Sequence, residues 1–91
     1  MAIATPISNR MSRSFPIVRI WISAGTTQAV GDVVKAAQVL LESWPREFTE
    51  TDAHLAAREA CLEAWEGDGD PMAARAALIA AAREADILAE V

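Results

Sequence analysis

His54 and Cys61 are the residues best suited to chemistry, and each occurs once in the chain. A thiolate–imidazole dyad needs about 3 Å between its two groups. Seven residues apart on one helix, the two share a face but stand two turns apart, a rise of roughly 10 Å. The helix alone therefore cannot make the dyad, and only a second chain could complete it. A metal site would need further ligands, and there is no second histidine or cysteine. No catalytic residue, metal or cofactor is expected. On an Ala/Leu face, Cys61 reads as a buried structural thiol.

The other polar candidates are weaker. Glu59, Glu63 and Glu66 fall on the outer face of the same helix, where solubility explains them. A general acid and base would need one carboxyl held in an apolar pocket. The four glycines are spread from 25 to 69, so no loop is rich enough in glycine to cradle phosphate. Arg58 and Arg75 stand in alanine-rich stretches. Each reads either as a clamp for a carboxylate or other anion, or as a stem lying on apolar surface with its head paired to an acid such as Glu42 or Asp70. Trp44 and Trp65 fit helix stripes and read as core. Trp21 lies with Phe15 and Ile17 on the strand face away from the expected core, and an exposed apolar patch of this kind marks an interface. The residues expected at an interface or ligand contact are therefore Phe15, Ile17, Trp21, His54 and Arg58.

These side chains need elements to hold them. Residues 15–23 are β-branched and aromatic, with Pro16 at the entry, and read as a strand. Alternation puts Val18, Ile20 and Ile22 on one face and Phe15, Ile17, Arg19 and Trp21 on the other. Ala24-Gly25 supplies a turn, and 26–30 reads as the returning strand. Asp32 caps a first helix whose stripe runs Val33, Ala36, Ala37, Leu40, Leu41 and Trp44, ended by Pro45. Thr49 or Thr51 caps a second helix carrying Leu55, Ala57, Cys61, Leu62 and Trp65, with Gly67 as its stop. Asp70-Pro71 opens a third helix, expected to run to about Leu88, with Leu78, Ala81, Ala82 and Ala85 on its inner face. AAREA recurs at 56–60 and 81–85, but the match does not extend outward, and chance among strong helix formers accounts for it. Alanine-rich faces predict close packing of the second and third helices. The expected fold is α+β: an N-terminal β-hairpin followed by three amphipathic helices packed on one face (ββααα), over residues 15–88. Residues 1–14 read as a disordered tail, with Met1 or Met11 as the start.

Ninety-one residues make one domain, with 53% hydrophobic residues and no disulfide to support a small core. A core this marginal is often completed by a partner chain. The net charge is −5. Residues 1–31 hold three arginines and no acid, while residues 32–91 hold all thirteen acids against five bases. Such a surface repels phosphate, so nucleic acid is not expected as a partner. No stretch is long and apolar enough for a membrane span, nor patterned as a signal peptide. A lone thiol suits a reducing compartment, so a cytoplasmic setting is expected.

Several spaced motifs occur together. A strand opens Phe15-Pro16-Ile17-Val18, and a helix ends Leu40-Leu41-x-x-Trp44-Pro45. His54-x-x-Ala57-Arg58-x-x-Cys61-Leu62 follows, then Gly67, then Ala74-Arg75 ahead of Ala81-Ala82-Arg83-Glu84-Ala85. Over residues 15–88 this series resembles the small bacterial family called domain of unknown function 982. Asp86 departs from the pattern, standing where the family has glycine, and is expected only to stiffen the helix end. The resemblance implies the fold and a bacterial cytoplasmic setting. The family carries no established activity or cofactor, so it assigns no catalytic residue.

Two functions follow as expectations. One is a non-enzymatic protein-interaction or regulatory module that pairs with itself as a homodimer. The alternative is a small enzyme or ligand-binding domain with a site around His54, Arg58 and Cys61.

Overall fold

The computed structural model describes residues 13–91. Residues 1–12, which include both candidate start methionines and most of the expected tail, lie outside the described residues. Strand β1 (Ser14–Ser23) turns through Ala24-Gly25 into β2 (Thr26–Asp32). Helices α1 (Val33–Glu42), α2 (Asp52–Glu66) and α3 (Pro71–Glu84) follow, with a short 3-10 turn (Arg46–Phe48) between the first two. A third strand, β3 (Leu88–Glu90), closes the order. The class is α+β, with three α-helices among the described residues and an antiparallel sheet in the order β2-β1-β3.

Each helix starts where side-chain chemistry provides a cap. Asp32 accepts the Lys35 N–H at 2.7 Å. Thr51 accepts the His54 N–H at 3.2 Å, and its own hydroxyl donates to Glu84 at the far end of α3 at 2.6 Å. Asp70 accepts the Met72 N–H at 2.9 Å, ahead of Pro71. These bonds satisfy amide donors that no helix can satisfy internally. Gly67 ends α2 in the left-handed region at φ 99°, where a side chain is disfavoured. Gly69 lies so close to that end that a Cβ there would sit 2.9 Å from the Ala64 nitrogen.

The β1–β2 hairpin is present as expected, but β3 joins it on the other edge of β1, and α3 ends earlier than expected. The last helix stops at Glu84 because the chain turns back in a Schellman arrangement. Ile87 N–H reaches Ala82 O at 2.9 Å, Asp86 N–H reaches Arg83 O at 3.1 Å, and Asp86 itself adopts φ 58°. Ile87 O then accepts the Trp21 N–H at 2.8 Å, and Leu88 pairs with Ile20. Asp86 therefore stands past the helix end in a conformation that favours glycine, rather than stiffening the helix. Local composition concealed this, since residues 81–91 are mostly helix formers.

A second correction concerns the face of β1. Val18 and Ile20 are fully buried, as alternation predicts, and Val30 of β2 joins them, but Phe15, expected on the outer face, is buried too. The β1–β2 register shifts between Ser14 and Val18, and a shift by one residue reverses the side-chain parity upstream of it. Ile22, expected inside, is partly exposed beyond the second register shift.

The third correction concerns the helices. The core draws on Val33, Ala36, Val39 and Leu40 of α1, on Ala57, Cys61 and Ala64 of α2, and on Ala74, Leu78, Ala81 and Ala82 of α3. The inner stripe of α2 is made of small residues, which lets α2 and α3 approach closely along their length. Leu41, Leu55, Leu62 and Trp65, all expected to pack inward, face solvent instead.

Candidate functional site

The side chains turned outward converge on one place. Val34 and Leu41 project from α1, and Leu55, Leu62 and Trp65 project from α2. Each helix carries its pair at a spacing of seven, 34/41 and 55/62, so both apolar rows run along the helix rather than around it. Between the rows lies a groove of about 870 Å³, with the buried Val33 and Cys61 and the half-buried Ala37 in its lining. Leu41 is 66% exposed and Leu62 is 55% exposed. The five large side chains leave on the order of 500 Å² of apolar surface, at the upper range for an unpartnered monomer.

Four charged residues edge this groove: Glu42, Asp52, Arg58 and Glu59. Arg58, expected either to clamp an anion or to lie on apolar surface, is half-buried there, with no ion pair among the described residues. Arg75 donates through Nε to the carbonyl of Pro16 at 2.9 Å, joining α3 to the start of β1.

Cys61 lies beneath the groove, 1% exposed. Burial pushes its thiol from the ordinary 9.0 up to about 11. Removing the thiolate from water disfavours the charged form, which is also the nucleophilic form.

His54 is buried as well, and both ring nitrogens are engaged. Nε2 lies 2.8 Å from the carbonyl of Leu40, and Nδ1 accepts the Glu50 N–H at 3.0 Å. This pattern sets the proton on Nε2. The imidazole thus bonds a C-terminal carbonyl of α1 and fixes Glu50, which takes φ 63° just ahead of α2. The Trp44 ring lies 5.7 Å from it, tilted by 44°. Trp44 Nε1 is buried with no hydrogen-bond partner among the described residues. Those residues also hold no group of three or more His, Cys, Asp or Glu side chains placed to bind a metal ion.

The hairpin patch is smaller. Phe15 belongs to the core, leaving Ile17 at 53% and Trp21 at 44% exposure, with Arg19 between them. Arg19 pairs with Glu90 at 3.6 Å in an exposed contact. Of the five residues expected at an interface or ligand contact, the structure thus exposes Ile17 and Trp21, places Arg58 at the groove, and encloses Phe15 and His54.

The sequence profile of the family described as protein of unknown function (DUF982) matches residues 17–89. The chain belongs to this family. No curated protein and no solved structure matches it. The match spans all three helices, so the outward rows of this DUF982 domain lie within the family region. No helix among the described residues is long and apolar enough to cross a membrane. The apolar face of α1 and α2 was missed in the sequence because its residues satisfied the same i, i+3, i+4 test as core. The available signal was the pair of spacings of seven, lying beside a second, small-residue stripe on α2.

Proposed function

We propose that the domain is a small non-enzymatic protein-interaction module, and that the α1–α2 groove is its binding face. The observation that carries the reading is the apolar groove itself. Five large apolar side chains stand together on the surface of a chain whose helical region is strongly acidic. Its charge lies at the rim, on Glu42, Asp52, Arg58 and Glu59, and an apolar centre inside a polar rim is the usual anatomy of an interface. The enclosed His54 and the raised Cys61 thiol support a structural role for both rather than a catalytic one. Ile17 and Trp21 on the hairpin form a secondary candidate surface, smaller by three large side chains.

Site-specific photo-crosslinking in the native cell tests this reading. A photoreactive residue at position 62 is expected to give a protein adduct of defined mass. The same residue at the exposed position 73 on α3 is expected to give none. Adducts absent at 55, 62 and 65 alike would remove the proposal.

A further inference from the structure

We infer that the occupant of the groove is a second copy of this chain, docked two-fold so that α1 and α2 of each copy complete a four-helix layer. The inference rests on the interaction reading above and adds the identity of the partner.

The first argument is shape. A two-fold interface must be complementary to itself, with the same patch supplying both projection and recess. Here the rows of Leu41, Leu55 and Leu62 are ridges, and Val33, Ala37 and Cys61 lie in the recess between them. A ridge of one copy fits the recess of the other, as ridges enter grooves between packed helices. The second argument is spacing. Rows repeating at seven residues are the pattern of a helix-bundle seam, and two adjacent helices each with such a row amount to half a bundle. The third is charge. Arg58 edges the groove with no ion pair among the described residues, and Glu42, Asp52 and Glu59 lie along the same rim. In the docked pair each Arg58 would meet carboxylates of the other copy, and two-fold symmetry would make that contact twice. The fourth is area. About 500 Å² of apolar surface per copy, with the rim around it, approaches the roughly 800 Å² per partner of a stable complex.

Sedimentation equilibrium over a range of concentrations up to roughly 200 µM separates the outcomes. The full chain is expected to sediment at twice its 9.8 kDa. Leu62→Glu is expected to weaken association at least about 100-fold, leaving a monomer with unchanged far-UV circular dichroism. Leu41→Ser serves as the milder second variant, should the first fail to fold. Trp21→Ser is expected to remain a dimer. A wild type that stays monomeric overturns the inference. If position 62 still crosslinks to a different protein in the cell, the interaction reading survives and the second copy does not. If deleting residues 1–12 is what exposes dimerisation, that segment is the native occupant, which also overturns it. A dimer lost with Trp21→Ser but kept with Leu62→Glu would place the interface on the hairpin and overturn it as well.

Discussion

Single residues here are governed by what surrounds them more than by their type. The chain's lone histidine and lone cysteine look reactive as letters, and the fold encloses both. His54 joins the carbonyl end of α1 to a left-handed residue before α2. Their separation along α2 was legible from spacing alone, since a rise of about 1.5 Å per residue is fixed by the helix. The engagement of both ring nitrogens was not legible, because both acceptor and donor lie in other segments. Cys61 allows a test in solution. Its folded pKa is raised, so the buried neutral thiol contributes stability that is complete below pH 9 and lost as the pH rises towards 11. Between those values the unfolded chain releases a proton that the folded chain retains. Stability should therefore fall by about 2–3 kcal/mol more across that range in the wild type than in Cys61→Ala. Urea unfolding at pH 8 and pH 11 measures the difference. Equal losses in the two proteins would mean that the thiol is not buried as described.

At the scale of elements, caps and stops were the most readable features. Asp32, Thr51, Gly67 and Asp70 each hold the position that their chemistry favours, and the inner alanine face of α3 is where periodicity puts it. Two features escaped. The bulge near Pro16 reverses parity at Phe15, and β3 is a three-residue strand held mainly by its partner, β1. Neither has a local signature, because strand pairing is decided by the neighbouring strand. The turn that feeds β3 carries a cost that can be relieved. Asp86 sits at φ 58°, a conformation that costs residues other than glycine about 1–2 kcal/mol, less for Asp and Asn. Asp86→Gly is expected to stabilise the domain by about 0.5–1 kcal/mol, raising Tm by a few degrees. Differential scanning calorimetry reads this directly. A Tm that stays put or falls would show that the aspartate side chain offsets the strain.

At the scale of the whole molecule, the chain has more large apolar side chains than its own core encloses. Among the described residues, α1–α3 and the sheet bury Ile20, Leu40 and Leu78 completely, yet Leu41, Leu55, Leu62 and Trp65 keep exposed surface. A helix with apolar residues on two faces satisfies the periodicity test on either, so sequence reasoning merged the two stripes of α2 into one core face. Their separation became visible only with the positions of α1 and α3, which take the small-residue stripe and leave Leu55 and Leu62 exposed. The proposal that another surface covers these exposed side chains is the central claim for this protein.

The claim is tested most directly by comparing two leucines. Leu62→Ser and Leu78→Ser remove the same side chain, one from the groove and one from the core. Urea unfolding at low protein concentration, where association is absent, should show Leu62→Ser within about 0.5 kcal/mol of wild type. Leu78→Ser should lose about 3 kcal/mol or more. Equal large losses from both variants would show that Leu62 belongs to the core and would contradict the account.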